Sequence, residues 1–276
     1  MKINAIITAG GTSSRFGNTN KLLEKINGKE VIRYTVEAFL NSNVDKIIIC
    51  ANVAIMEELK IIFNSGKLKV ESGKLNNSQL STFNFQPDLE IIQGDTASQE
   101  STPTLPSPMG RVSEGREGVI PSIVIIEGGA TRQESVYNGL KHCECDYVLI
   151  HDGARPMITT DLINQTIEMV KDKKALTVAT KTIDTIKEVV DGKIVKTIDR
   201  SKLYNTQTPQ AFEYNLIKQA HEKLKGQNFT DDAGMLEELG YDVYILNGSY
   251  KNIKITTQSD IDVAKVYLNS TFQTPH

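Results

Sequence analysis

The 276-residue sequence lacks any apolar run long enough to cross a membrane, and it lacks a recognisable secretion signal. Its apolar stretches fall well short of the roughly 18 residues that a membrane-spanning helix needs. The first residues, MKINAIITAGG, have neither the charged region nor the long apolar stretch of a signal peptide. We therefore expect a cytoplasmic protein without a membrane partner.

The sequence also contains few cysteines and has little net charge. Cys50, Cys143 and Cys145 are too few for a disulfide framework, and Cys143-x-Cys145 has no second ligand pair at zinc spacing, so we expect reduced structural thiols. The formal net charge is only -3, which gives no sign of a nucleic-acid partner or of a basic membrane-binding surface. An anionic ligand must therefore be bound by a local cluster of basic residues.

The sequence does have a regular alternation of short apolar runs and amphipathic segments. INAIIT, KIIICA, IVIIE and YVLIH are each followed by a segment of helical length. Continuous apolar strands between helices are typical of a parallel sheet covered on both faces, and 39% apolar residues suffice for a sizeable core. We predict a doubly wound α/β fold with a mostly parallel, Rossmann-like sheet, in one domain over residues 1–268 with a tail at 269–276.

Residues 65–121 interrupt this alternation. The stretch is polar and Ser-rich, and it holds five of the eight prolines of the chain. Because proline removes a backbone donor and fixes φ, we expect no regular element there beyond a marginal strand in FNFQPDLEII. We interpret the stretch as a long, mostly disordered surface insertion. A linker between two domains is the alternative, although the next strand–helix unit continues the same pattern.

Residues 185–200, TIKEVVDGKIVKTIDR, form a second interruption, which we call the arm. Two alternating runs flank Asp191-Gly192, a strong signal for a two-residue β-hairpin. Charged residues leave the hairpin only partly apolar, so we expect it to project from the sheet. Since an isolated hairpin is marginally stable in water, we predict that a partner subunit buries it in a homodimer.

The loop TAGGTSSRFGNTNK, residues 8–21, follows the first apolar run. Its glycine spacing matches neither the P-loop nor the dinucleotide-binding pattern. Its small residues nevertheless let backbone N–H groups approach a polyphosphate. Arg15 offers a bidentate fork and Lys21 a mobile point charge, which together suit a triphosphate that is attacked at its α-phosphorus and releases pyrophosphate. A glycine turn with two solvated cations is the alternative.

Asp152 follows the apolar run YVLI, at the edge of the sheet where α/β proteins bind ligands. A carboxylate there is a natural ligand for Mg²⁺ beside an α-phosphate, because magnesium prefers few carboxylates together with substrate oxygens. A helix N-cap or an ion pair with Arg155 is the alternative. We expect His151 to be structural, since the sequence offers it no triad partner.

A second glycine turn, GGATRQESV at residues 128–136, leads into a helix. The Ser135 hydroxyl and the backbone around Gly129 and Ala130 are placed to hydrogen-bond a base or a ribose. We expect Arg132 and Glu134 to pair with each other on the helix surface.

Several segments carry a resemblance to a known family. The loop pattern A-G-G-x-x-S-R-F-G, followed by N-K-L-L, resembles nucleotidyltransferases that join a nucleoside triphosphate to a sugar or polyol phosphate. More narrowly, EGGATRQESVYNGL, HDGARP, TQTPQAF, FTDDAGMLEELG and NIKIT resemble, in this order, the motifs of the 2-C-methyl-D-erythritol 4-phosphate cytidylyltransferase family. The likeness covers nearly all of residues 1–64 and 122–268, and residues 65–121 have no counterpart in the compact form of the family.

The resemblance implies that CTP and 2-C-methyl-D-erythritol 4-phosphate give 4-diphosphocytidyl-2-C-methyl-D-erythritol and pyrophosphate, in isoprenoid precursor biosynthesis, with Mg²⁺ or another divalent cation. It implies catalytic roles for Arg15, Lys21, Arg200 and Lys254, the last two holding the acceptor phosphate. It implies nucleotide contacts from Ala9, Gly10, Gly11, Thr12, Gly129, Ala130, Ser135, Asp152 and Arg155.

Acceptor contacts are implied for Thr185, which lies on the arm and would meet acceptor bound by the other subunit, and for Thr230 and Asp231. The last two begin a helix in FTDDAG, where N-capping is the alternative to binding acceptor hydroxyls. Lys251 stands where relatives often have an acidic residue, so a second carboxylate contact to the metal is not expected from it.

Two other functions fit the same residues. A cytidylyltransferase acting on ribitol 5-phosphate would use overlapping motifs, because both acceptors are short polyol phosphates. A non-catalytic nucleotide-binding regulator would not need basic residues on both sides of the α-phosphate, so the set that includes Lys21 and Lys254 favours an enzyme.

Overall fold

The computed structural model describes residues 1–11, 16, 20–64, 71–73 and 121–271. Several predictions lie outside these residues and are not addressed by the structure. They concern Thr12, Arg15, the run FNFQPDLEII, most of the 65–121 insertion and the last residues of the tail.

The four apolar runs named above form strands, and a helix follows each of them before the next run, as the sequence predicts. The strands are β1 (Ile3–Ala9), β2 (Lys25–Ile26), β3 (Lys29–Glu30), β4 (Lys46–Ala51), β5 (Glu71–Gly73), β6 (Ser122–Glu127), β7 (Tyr147–Asp152), β8 (Ala175–Lys181), β9 (Ile186–Val190), β10 (Lys193–Ile198), β11 (Tyr204–Glu213) and β12 (Tyr244–Asn247). The helices are α1 (Val31–Leu40), α2 (Val53–Asn64), α3 (Arg132–Leu140), α4 (Thr160–Lys173), α5 (Tyr214–Lys223), α6 (Asp232–Glu238) and α7 (Gln258–Thr271), with a short 3-10 helix at Arg200–Lys202.

Within the described residues, eight strands form one sheet in the order β12-β8-β11-β7-β1-β4-β6-β5. Neighbouring strands are parallel except where β11 pairs antiparallel with β7 and β8. β1 lies near the centre of the sheet, with β7 on one side and β4 on the other, so the chain builds the sheet in both directions from β1. This arrangement confirms the doubly wound, mostly parallel α/β fold.

The core lies on both faces of this sheet. Along β1, Ile7 belongs to the apolar cluster that includes Ile32 of α1, whereas its neighbour Ile6 belongs to the cluster that includes Val136 of α3. Successive side chains of a strand point to opposite faces, so an uninterrupted apolar run is what a strand covered on both faces requires. In the described part of the chain, no helix is both long enough and apolar enough to span a membrane.

The edge of the sheet corrects one sequence-based expectation. We expected no regular element at this point in residues 65–121, but Glu71–Gly73 forms β5 and pairs in parallel with β6. The segment is short and polar, so it carries no apolar periodicity. Its backbone pairs with β6 at the edge of the sheet.

The arm forms the predicted hairpin. β9 and β10 pair antiparallel in a sheet of their own, and the turn residues Asp191 and Gly192 have φ values of 49° and 76°. Positive φ at both central residues is what a two-residue hairpin turn of type I′ requires, and Asp-Gly is a favoured sequence for it. The arm exposes large apolar side chains at Ile186, Val189, Val190, Ile194 and Val195.

Candidate active site

A cavity of about 290 Å³ opens at the carboxyl ends of β1, β6 and β7. Doubly wound sheets bind ligands at this edge, beside the point where the strand order changes direction. The cavity is lined by Thr8, Ala9, Gly10, Gly11, Lys21, Leu22, Ala130, Thr131, Arg132, Ser135, Asp152, Ala154 and Lys254. Predicted residues from four separate segments therefore meet in one place.

Gly10 and Gly11 of the first loop line the cavity. A Cβ atom on Gly10 would lie 3.2 Å from the Ser135 hydroxyl, so glycine permits the close approach of the two loops. Lys21 lies on the wall because the next residue, Leu22, is buried and its carbonyl accepts a hydrogen bond from the N–H of Ile32 in α1 (3.1 Å).

The second glycine turn is held rigidly by Ser135. The hydroxyl of Ser135 accepts a hydrogen bond from the Gly129 N–H (2.9 Å) and donates one to the Thr131 carbonyl (2.8 Å). Ser135 and Ala130 both line the cavity, where Ala130 is exposed and Ser135 is buried. The arrangement fixes the backbone geometry that a snug base or ribose site requires.

One prediction in this segment was wrong. Glu134 does not pair with Arg132, since its carboxylate accepts hydrogen bonds from the N–H groups of Ala130 and Thr131 and completes a capping box with the Thr131 hydroxyl. Two otherwise unpaired backbone donors at the start of α3 are thereby satisfied. Arg132 is left to turn toward the cavity.

Asp152 lies at the centre of the charged groups. Its Oδ2 is 2.9 Å from the Lys254 ammonium and 3.5 Å from Nε of Arg155, and its Oδ1 is 3.3 Å from Nε of Arg132. Burial alone would raise the pKa of Asp152, but these positive charges outweigh burial and hold its pKa well below the usual range. Asp152 is therefore ionised throughout the physiological pH range.

Hydrogen bonds connect the chain segments that surround Asp152. The Asp152 N–H donates to the Thr208 hydroxyl (3.0 Å), which also contacts Nδ1 of His151 at 2.9 Å. Arg155 donates to the Asn252 carbonyl (2.8 Å) and is itself largely buried. Arg155 thus forms the ion pair that was the alternative reading of the HDGARP motif, and it is not among the described residues that line the cavity.

His151 has the structural role expected of it. Its ring is fully buried and packs 5.2 Å, centroid to centroid, from the ring of Phe39. Burial lowers the pKa of His151 to about 3, so the imidazole is neutral.

Lys254 reaches the cavity from the segment before α7. The N–H of the next residue, Ile255, donates to the Ala154 carbonyl (2.8 Å), and Ile255 is completely buried. The Lys254 side chain is 40% exposed, which leaves its ammonium able to move between Asp152 and a ligand. Lys251 points elsewhere, with Nζ lying 5.9 Å from the centroid of the Tyr267 ring.

The sequence did not predict that Arg132 and Asp232 belong to the site. Arg132 spans two carboxylates, because its Nη1 also binds Oδ2 of Asp232 at 2.7 Å. Asp232 in turn accepts a contact from Nε2 of His221 at 3.1 Å. The sequence signal for Asp232 was the pair of successive aspartates in FTDDAG. No local pattern connects this pair with Arg132, which begins α3 about 100 residues earlier.

The first of those aspartates, Asp231, has the capping role. Its carboxylate accepts from the Gly234 N–H (3.0 Å) at the start of α6 and from Nε2 of Gln210 (2.8 Å). Thr230 is exposed just before it. Neither belongs to the cavity lining formed by the described residues, and Asp231 is the N-cap of α6.

Arg200 and Thr185 lie with the arm and not in the cavity lining of the described residues. Arg200 is exposed in the 3-10 helix at the base of the arm and donates a hydrogen bond to the carbonyl of Ile183. Thr185 is exposed immediately before β9. The structure thus brings Lys21, Asp152 and Lys254 together but separates Arg200 from them.

The donor set suits a divalent cation only with help from a ligand. Among the described residues, no group of His, Cys, Asp and Glu side chains is large enough to hold a metal by itself. Asp152 offers one buried carboxylate, and the Lys254 ammonium beside Oδ2 already occupies the position of a cation. Such a site fits Mg²⁺, which is commonly bound by one carboxylate together with substrate phosphate oxygens and water.

Comparison with known proteins identifies the family to which the chain is similar. Residues 88–270 match the family model described as 2-C-methyl-D-erythritol 4-phosphate cytidylyltransferase, and residues 5–69 match that of the MobA-like NTP transferase domain. A relative named 2-C-methyl-D-erythritol 4-phosphate cytidylyltransferase from Clostridioides difficile is 35% identical over 272 residues, covering 96% of this chain and 93% of the relative. One of the same name from Bacillus licheniformis is 34% identical and is covered completely, as is this chain.

Solved structures are similar over the whole fold. The structure of 4-diphosphocytidyl-2C-methyl-D-erythritol synthase from Anaerococcus prevotii has a TM-score of 0.69 at 28% identity and covers 97% of this chain, with 96% of that chain covered. The structure of 2-C-methyl-D-erythritol 4-phosphate cytidylyltransferase from Thermus thermophilus, at 21% identity and a TM-score of 0.65, shares the fold over 98% of this chain and all of its own. Because the family model covers residues 88–270 and the Clostridioides difficile relative is similar over nearly its full length, the chain belongs to the 2-C-methyl-D-erythritol 4-phosphate cytidylyltransferase family.

Proposed function

We propose that this chain transfers a cytidylyl group from CTP to 2-C-methyl-D-erythritol 4-phosphate. A phosphate oxygen of the acceptor forms a bond to the α-phosphorus of CTP, and the bond from that phosphorus to the α,β-bridging oxygen breaks. The products are 4-diphosphocytidyl-2-C-methyl-D-erythritol, an isoprenoid precursor, and pyrophosphate. The observation that carries the proposal is the meeting of Lys21, Lys254 and ionised Asp152 with both glycine turns in one cavity.

Each of the two glycine turns binds a different part of the nucleotide. The backbone of Gly10 and Gly11 can approach the triphosphate closely, and Lys21 follows it as a point charge. Ala130 and Ser135 lie on the other side of the cavity, where backbone and hydroxyl groups can bind cytosine or ribose. Arg15 lies outside the described residues and is assigned to the phosphates from the loop sequence and from the family resemblance.

The chemical step needs positive charge more than it needs a base. A phosphate monoester dianion is already a competent nucleophile, so the barrier comes from bringing anions together and from charge that spreads in the transition state. Lys21 stabilises the oxygens of the α-phosphate and of the departing pyrophosphate. Lys254, on the Asp152 side of the cavity, binds the acceptor phosphate and aims its oxygen.

Mg²⁺ is the proposed cofactor, with Asp152 as its protein ligand. When bound, it neutralises phosphate charge and polarises the α-phosphoryl group. Lys254 has the exposure it needs to leave Oδ2 of Asp152 and move to the acceptor phosphate.

We further propose a homodimer formed through the arm. The exposed apolar side chains of β9 and β10 support it, since a hairpin of this kind gains stability when another surface covers it. Thr185 and Arg200, which lie with the arm, would then contact acceptor in the site of the partner. The proposed location is the cytoplasm, which suits the free thiols of Cys50, Cys143 and Cys145.

Pyrophosphate release measured with CTP and each acceptor in parallel tests the function. We expect turnover with 2-C-methyl-D-erythritol 4-phosphate and at least tenfold lower kcat/KM with ribitol 5-phosphate. The reverse preference would assign the ribitol 5-phosphate activity, and CTP binding without turnover of either acceptor would favour a regulator. The same assay after treatment with EDTA, with and without restored Mg²⁺, tests the cofactor.

A further inference from the structure

Arg132 is the link between the cavity and a buried carboxylate behind it. Its guanidinium binds Oδ1 of Asp152 through Nε at 3.3 Å and Oδ2 of Asp232 through Nη1 at 2.7 Å. The side chain is 27% exposed and lines the cavity, whereas the side chain of Asp232 is 1% exposed. One end of the guanidinium is therefore held in the interior while the other faces the site.

Asp232 is itself held in a single orientation. Its Oδ1 is bound by Nε2 of buried His221 at 3.1 Å, and its backbone N–H donates to Oε1 of buried Gln210 at 3.0 Å. Burial alone would raise the pKa of Asp232, but Arg132 and His221 outweigh burial and lower it. A buried carboxylate with both oxygens occupied is a rigid anchor for its partners.

Capping of α6 does not account for the Asp232 side chain. The preceding residue, Asp231, already caps that helix through the Gly234 N–H. The Asp232 carboxylate is instead directed at Arg132, and through Arg132 at Asp152. A long, partly exposed arginine has many rotamers, so a fixed second carboxylate determines which one it adopts.

We propose that Asp232 is a positioning residue for cytidylyl transfer and acts through Arg132. It orients the guanidinium so that Arg132 holds Oδ1 of Asp152 and leaves Oδ2 directed at Lys254. This inference rests on the proposed function of the cavity. It assigns a functional role to a residue that touches neither substrate.

The test is a double-mutant cycle in steady-state kinetics at 25 °C, with melting temperatures measured in parallel. The variants are Asp232→Asn, Arg132→Gln and the two combined. We expect Asp232→Asn to lower kcat roughly tenfold with KM for CTP changed less than about threefold, because a small misplacement of a catalytic group is costly. In the Arg132→Gln background the same change should lower kcat by less than about twofold, because the two residues act as a unit.

A purely structural role gives a different result. Asp45→Asn is the matched control, since Asp45 accepts the N–H of Ile3 (2.7 Å) at the opposite end of β1, and it should lower the melting temperature without changing kcat. If Asp232→Asn behaves like this control, or lowers kcat by equal factors in both backgrounds, the proposal is overturned. Should Asp232→Asn fail to fold, Arg132→Lys replaces it.

Arg132→Lys keeps the positive charge but cannot bridge two carboxylates with a planar fork. We expect it to lower kcat roughly tenfold, and a kcat within about twofold of the unmodified protein would overturn the proposal. The activity of the unmodified protein distinguishes a failure of the proposed function from a failure of the proposed role of Asp232. If it releases no pyrophosphate with either acceptor, the proposed function fails, whereas an active protein that tolerates these changes overturns only the role of Asp232.

Discussion

Nζ of Lys254 lies 2.9 Å from Oδ2 of Asp152, although one residue precedes the last helix and the other ends the seventh strand. The pair joins a partly exposed cation to a buried anion, so the cation is the mobile partner. An acceptor phosphate that enters the cavity competes with Asp152 for this ammonium. This competition is the basis for the proposal that Lys254 binds the acceptor phosphate.

We predict that Lys254→Ala raises KM for the acceptor by about 10- to 100-fold, as expected for losing a charged hydrogen bond, and raises KM for CTP much less. Lys251→Ala is the matched control, since Lys251 lies over the Tyr267 ring. Initial-rate measurements with each substrate varied in turn distinguish the two parameters. A larger effect on CTP than on the acceptor would contradict this assignment.

Lys21→Ala should lower kcat by roughly 10²–10³-fold, the scale for losing one electrostatic contact at a developing oxyanion. The measurement is kcat at saturating CTP, acceptor and magnesium. Lys25→Ala provides a nearby control, since Lys25 forms a surface ion pair with Glu30. Near-full turnover of Lys21→Ala would remove Lys21 from the mechanism.

The arm is predicted to hold the dimer together through its apolar side chains. Ile194→Asp places a charge on a side chain that is 64% exposed in the single chain, and we expect it to convert the dimer to monomer at micromolar concentration. Val266→Asp on α7, at 65% exposure, is the control and should leave the mass unchanged. Light scattering after size-exclusion chromatography gives the mass. A monomeric unmodified protein would contradict the dimer itself.

Asp260 makes stability depend on pH at the start of α7. Its carboxylate accepts hydrogen bonds from the N–H groups of Thr256 (2.8 Å) and Thr257 (2.7 Å). Burial tends to raise the pKa of Asp260, but these hydrogen bonds lower it below its ordinary value. Because the folded pKa is depressed, the stabilisation is fully present above the unfolded pKa of about 3.9 and is lost as pH falls through the folded value.

We therefore predict that Asp260→Ala lowers the free energy of unfolding by about 1 kcal/mol near neutral pH. The difference from the unmodified protein should shrink in strongly acidic buffer. Urea denaturation of both proteins at several pH values measures it. An equal difference at every pH would show that Asp260 acts through packing and not through its charge.

Local sequence patterns were sufficient for β1, β4, β6 and β7, for the helix that follows each of them, and for the arm, but β8, β11 and β12 were not predicted. The apolar runs repeat where strands must be buried on both faces, and Asp191-Gly192 defines its own turn. β5 could not be predicted in the same way, because edge pairing of three polar residues leaves no periodic signal.

The site was predictable where a side chain adjoins a strand end or a glycine turn, as for Asp152 and Ser135. It was not predictable where partners are distant in sequence. Arg132 was assigned to Glu134 because they are neighbours, yet Glu134 satisfies the helix start and Arg132 binds Asp232. Only the three-dimensional path of the chain decides between such partners.

The contacts from His221 through Asp232, Arg132 and Asp152 to Lys254 link the interior to the cavity, and negative and positive groups alternate along the last four. The Arg132 guanidinium is therefore ordered between two carboxylates when the chain folds and does not have to be oriented by each incoming substrate. Catalysis by fixed charges gains most from such an arrangement, because the surroundings need little reorganisation as the phosphoryl group transfers.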